Sequence, residues 1–90
     1  MNAFYRKVDK LCVKKGITHR ELAEQIGVTE VTLSRYLTGQ RNTQLSPFMS
    51  MCRVLDISAE ELFQSYLYAS MERRVAKYRK EHEHERSAIL

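Results

Sequence analysis

The sequence has no tryptophan, one proline, three glycines and two cysteines in 90 residues. So little glycine and proline argues against a disordered or fibrous chain. Long apolar runs are missing as well: the longest are a few residues, such as 88–90, far short of the roughly 20 needed to span a bilayer. No membrane-spanning segment is expected. The start, Met1-Asn2-Ala3-Phe4-Tyr5-Arg6-Lys7, places charges where a secretory signal carries its apolar stretch, so the expected location is the cytoplasm. Cys12 and Cys52 lack the short paired spacings of a zinc site or redox motif. Both read as reduced residues inside helices.

The marks of catalysis are missing too. There is no Ser/His/Asp or Cys/His grouping, no glycine-rich phosphate loop and no pair of carboxylates placed for acid–base work. A chain this short buries only about two thirds of its unfolded surface, which leaves little core for a deep substrate cavity. The expectation is a protein that is not an enzyme and needs no cofactor. His82-Glu83-His84-Glu85 invites a metal reading, but residues two apart point away from each other on a helix, so no metal site is expected.

What is present is a single small domain's worth of residues, 43% hydrophobic and 29% charged, with 15 Lys and Arg against 11 Asp and Glu and a net charge of +4. The basic balance mildly favours a polyanionic partner. Apolar residues recur at helical spacing throughout, and the fold class expected is all-α, with five short helices in the first 63 residues. Phe4, Val8, Leu11 and Cys12 mark the inner face of a first helix over about 2–15, ended by Gly16. Thr18 and Glu21 have capping-box spacing and open a second helix that turns Leu22, Ala23 and Ile26 inward and stops at Gly27. Thr29 is the N-cap of a third, which presents Leu33, Tyr36 and Leu37 to the core and ends at Gly39. After a polar connection over 40–45, Ser46 and Pro47 supply an N-cap and first position for a fourth helix through Phe48, Met51, Cys52 and Leu55. Ser58 and Glu61 open a fifth, with Leu62 and Phe63 inward.

Two helices separated by a tight glycine turn form the informative constellation. Ala23 is small where the next helix crosses it, Gly27 permits the positive φ of the turn, and Val28 and Leu33 lock the pair at a steep angle. The outer face of the second helix of the pair is left free, and a helix held in that way fits the major groove of DNA. Residues 16–39, Gly-Ile-Thr-His-Arg-Glu-Leu-Ala-Glu-Gln-Ile-Gly-Val-Thr-Glu-Val-Thr-Leu-Ser-Arg-Tyr-Leu-Thr-Gly, resemble the helix-turn-helix of the phage repressor family (Cro/C1-type, also called XRE). The likeness continues to Phe63 through Leu55-Asp56-Ile57-Ser58-Ala59-Glu60-Glu61-Leu62, similar to the family's entry into its fifth helix. The resemblance implies a five-helix repressor-like bundle over residues 1–68, with the helix-turn-helix at about 18–38. It also implies sequence-specific binding of double-stranded DNA, usually as a dimer and usually in transcriptional control.

Groove geometry and the matching positions then suggest roles. Glu30, Val31 and Thr32, with Arg35 one turn further, are candidate base readers: Thr32 can donate, accept or meet a thymine methyl, and Arg35 can take guanine bidentately. Glu30 stands where many relatives carry glutamine; a carboxylate can accept from cytosine N4 but cannot donate. His19, Arg20 and Thr29, together with Arg41, Asn42 and Gln44 ahead of the fourth helix, are candidate phosphate contacts. Relatives often pair an Arg on the first helix with a Glu near the end of the third; here Cys12 and Leu37 occupy those positions and are expected to meet as an apolar pair.

The +4 charge is not on the reading unit. Between Gly16 and Gln44, Arg20, Arg35 and Arg41 are balanced by Glu21, Glu24 and Glu30, while the surplus lies in the first helix and in the tail over 69–90. Nothing in that tail compels the fifth helix to stop before the low eighties. Along it Phe63, Leu67, Met71, Val75, Tyr78 and His82 draw a narrow stripe. The sequence leaves two readings of the tail open: a basic helical extension whose Leu67, Met71, Val75 and Tyr78 join two subunits or hold a protein partner, as in an antitoxin-like or adaptor protein, and a solvated, frayed end.

Overall fold

Helix starts are set by short polar side chains that cap the first unpaired N–H groups. In the computed structural model, which describes residues 1–83, these starts open five helices: α1 Ala3–Lys15, α2 His19–Ile26, α3 Glu30–Thr38, α4 Leu45–Leu55 and α5 Ala59–Glu81. No strand occurs among the described residues. Asn2 caps α1 by accepting from the Tyr5 N–H at 2.8 Å, and Ser58 caps α5 by accepting from Glu61 at 3.2 Å. At α2 the expected capping box is complete: Thr18 Oγ1 accepts from the Glu21 N–H (3.1 Å) while Glu21 Oε1 accepts from the Thr18 N–H (3.2 Å).

Helix α4 corrects an expectation. It begins at Leu45, with Gln44 as an N-cap that makes no side-chain bond, so Ser46 and Pro47 sit inside the first turn rather than starting it. Proline lacks an N–H that no residue of the first turn needs, so it marks that turn without fixing its first residue. The end of α4 is also unmarked by glycine: Asp56 adopts the left-handed conformation, φ 53°, one of the few side chains that do so readily.

Phe4, Val8, Cys12, Leu22, Leu33, Leu37, Met51, Leu55 and Leu62, the largest fully buried side chains, come from all five helices and fill one core. Cys12 and Leu37 share that cluster. Both cysteines are free and buried, and burial aided by the nearby Asp9 charge pushes the Cys12 thiol up to about 11. Burial raises Cys52 as well, so neither forms a thiolate at neutral pH. Phe63 does not turn inward as expected. The buried line of α5 is Leu62, Ser65 and Ala69, and Phe63, a hundred degrees round the helix, is 48% exposed with its ring edge-on to Phe48.

Helix α5 runs unbroken into the low eighties, and its first four turns lie along α1. Phe4 meets Tyr66 edge to face at 5.3 Å, Lys7 pairs with Glu61 at 3.6 Å, and Glu72 accepts from the Ala3 N–H at 3.1 Å while lying 3.8 Å from Arg6. Ala69, 1% exposed, has a side chain small enough to bring the two helices together there. No helix among the described residues is long and apolar enough to cross a membrane.

Candidate nucleic-acid interface

The turn between α2 and α3 is built from backbone. Gly27 takes φ 77°, its N–H bonds to the Glu24 carbonyl, and the Val28 N–H reaches back to Ala23 at 3.0 Å. A side chain at Gly27 would meet no atom within 4 Å, so the requirement for glycine is one of backbone angle and not of space. With Leu22, Ala23 and Ile26 buried on α2 and Leu33, Tyr36 and Leu37 buried on α3, α3 is held by one side only.

The other side of α3 is open. Glu30, Val31, Ser34 and Arg35 are exposed, Val31 at 60%, and Thr32 is half-buried. Among the described residues neither Glu30 nor Arg35 has a side-chain hydrogen bond or ion pair, so a carboxylate and a guanidinium remain unpaired five residues apart on α3. The Thr29 hydroxyl accepts from the Thr32 N–H at 3.1 Å and donates to Thr32 Oγ1 at 2.9 Å. The hydroxyl proton of Thr32 therefore points away from its neighbour and can be given to an outside acceptor. Thr29→Ala removes this cap and should cost about 1 kcal/mol of stability in a urea titration; an unchanged midpoint would mean the cap bond contributes nothing.

The candidate phosphate contacts divide. Arg20 is exposed and only loosely held by Glu24 at 3.7 Å. His19 is held more firmly: its Nε2 lies 2.9 Å from Asp9 Oδ1 and its ring is edge-on to Tyr5, so α1 competes for any contact it makes. Arg41 lies over the Tyr36 ring at 5.7 Å, and its N–H bonds to the Arg35 carbonyl at 3.2 Å. Asn42 accepts from the Tyr66 hydroxyl at 3.4 Å, which fixes the connection to α5. Gln44 starts α4 without capping it, leaving that helix's first N–H groups available to an anion.

Two side chains not singled out in the sequence lie against the far end of α3. Asn2 Nδ2 donates to the Leu37 carbonyl at 2.7 Å, and Arg73 lays its guanidinium against Gly39, the left-handed C-cap of α3. A Cβ on Gly39 would stand 2.5 Å from Arg73 Nη1. No local spacing links residues 34 apart, although a cation at a helix C-terminus is favourable once the fold brings it there. His82 lies at the end of α5 with its ring stacked on Tyr78, while His84 and Glu85 lie outside the described residues. No group of three or more metal-ligating side chains occurs among the described residues.

A glycine-turned helix pair, packed on a small all-α core and exposing one side of its second helix, defines a helix-turn-helix DNA-binding domain. A profile of the helix-turn-helix family matches residues 8–62, and the chain belongs to that family, of the Cro/C1 or XRE type. Its members are DNA-binding regulators and not enzymes. No curated protein matches the sequence. The matched segment ends at Leu62, the last residue of α5 before the exposed stripe.

Proposed function

We propose that the protein is a repressor-like transcriptional regulator that binds a specific duplex DNA site as a homodimer. Residues 1–68 read DNA, and the tail over 69–90 joins the subunits. The observation that carries this reading is the outer side of α3, where Glu30, Val31, Thr32 and Arg35 offer an acceptor, an apolar contact, a donor and a bidentate cation at the positions that enter the major groove. Around them Arg20, Thr29, Arg41 and the open N-terminus of α4 at Gln44 supply phosphate contacts that fix register, with His19 and Asn42 contributing through groups they also use inside the fold. A cytoplasmic location belongs to the same proposal, resting on the charges of Arg6 and Lys7 where a secretory signal carries its apolar stretch.

Dimerisation is assigned to Leu67, Met71, Val75 and Tyr78, which are 46%, 56%, 46% and 61% exposed. The same stripe supports an antitoxin-like or adaptor protein that holds a protein partner; a stoichiometric copurifying partner, lost on changing Leu67, Met71 and Val75 together to Ser, would favour that form. Selection of bound duplexes from a random pool tests the main reading. Two-fold related half-sites about one helical turn apart are expected; recovery of no preferred sequence would overturn specific recognition.

A further inference from the structure

The outward line of α5 has a symmetry of spacing. Taking Met71 as centre, Leu67 and Val75 lie four residues to either side, Gln64 and Tyr78 seven, and Glu60 and His82 eleven. At 100° per residue all seven fall on one face, opposite the buried line of Leu62, Ser65 and Ala69. No other helix among the described residues covers that face, and shallow apolar grooves run along it beside Leu67, Tyr68, Met71 and Val75.

Resting on the homodimer reading, we propose that this face takes the α5 of a second copy in antiparallel orientation, with the two-fold axis at Met71. In that orientation every symmetric pair of positions is chemically matched. Leu67 then meets Val75 of the second copy, Gln64 meets the Tyr78 hydroxyl, and Glu60 meets His82 on the turn that also carries Arg79. A parallel pair would instead set Glu60 on Glu60 and His82 on His82.

Charge along the helix favours the same direction. The first turn of α5 carries Glu60 and Glu61, whereas its last three turns carry Arg73, Arg74, Lys77, Arg79 and Lys80 against Glu72 and Glu81. Several of these charges are used inside the subunit: Glu61 by Lys7, Glu72 by Arg6 and Lys77 by Glu81. Glu60 at one end, and Arg74, Arg79 and Lys80 at the other, have no ion-pair partner among the described residues. Antiparallel pairing brings Glu60 of each copy to the turn that carries Arg79 of the other and also opposes the two helix dipoles; parallel pairing stacks like on like. The stripe spans roughly 33 Å at 1.5 Å per residue, long enough for several layers of interlocking side chains.

Engineered disulfides in the full chain test the orientation, since Cys12 and Cys52 are buried and remain silent. Differently tagged Leu67→Cys and Val75→Cys chains, co-expressed and mildly oxidised, should form a mixed disulfide dimer in at least tenfold excess over the like-with-like products. Met71→Cys should cross-link to itself. Like-with-like products from Leu67→Cys and from Val75→Cys, with no excess of the mixed species, would overturn the antiparallel arrangement while leaving the homodimer intact. No cross-linking at any of the three sites, with a monomeric mass in solution, would overturn the homodimer and this proposal together; the duplex selection decides DNA recognition separately.

Discussion

Leu33→Ala should lower the free energy of unfolding by about 3 kcal/mol, the ordinary loss for emptying a leucine site in a packed core. Leu33 has no exposed surface and stands on the inner side of α3, among buried residues of α1, α2 and α4. In a small domain whose total stability is of order 5–15 kcal/mol, such a loss moves the urea midpoint far toward water. DNA affinity should fall only as far as the unfolded fraction rises, because no groove-facing atom has been touched. Val31→Ala, two residues earlier on the open side of the same helix, should shift stability by less than about 0.5 kcal/mol. If the two variants unfold alike, the inner and outer sides of α3 have been assigned wrongly.

Arg35→Ala should weaken binding to the selected duplex by about 1–3 kcal/mol per half-site, or roughly fivefold to 150-fold, and should relax preference at one base-pair position. The contrast with the other arginines near the reading unit gives the reason. Arg20 leans on Glu24 and Arg41 lies over Tyr36, whereas the Arg35 side chain has no partner among the described residues and is five residues from the start of α3. Binding is measured across salt concentrations, with the selection repeated on the variant. A uniform loss across sequences, with a shallower salt dependence, would make Arg35 a phosphate contact and leave base reading to Glu30, Val31 and Thr32.

Much of the scaffold was legible because its signals are local. Thr18 with Glu21, Thr29 and Ser58 announce helix starts within four residues, and Gly27 between two apolar periods announces the turn. Where a signal was loose or missing, the reading slipped. Pro47 is compatible with any first-turn position, and Asp56 ends α4 without a glycine, so the edges of α4 were loosely defined. Phe63 is as apolar as Leu62, and only the position of α1 decides which of the two neighbours is buried. In the site, the open side of α3 follows from periodicity, but the tie between His19 and Asp9 and the placing of Arg73 on Gly39 join residues that only the assembled fold brings together.

The seat of Arg73 bears on how small a working fragment can be. A chain cut after residue 68 would lose Ala69 from beneath α1, Glu72 from the Ala3 N–H and Arg73 from the end of the reading helix. The proposed division between reading DNA and joining subunits is therefore not a division in the folding unit. The smallest fragment that keeps α3 braced extends to about residue 76, one turn beyond Arg73 and short of Tyr78, so trimming from the C-terminus should cost self-association before it costs the fold.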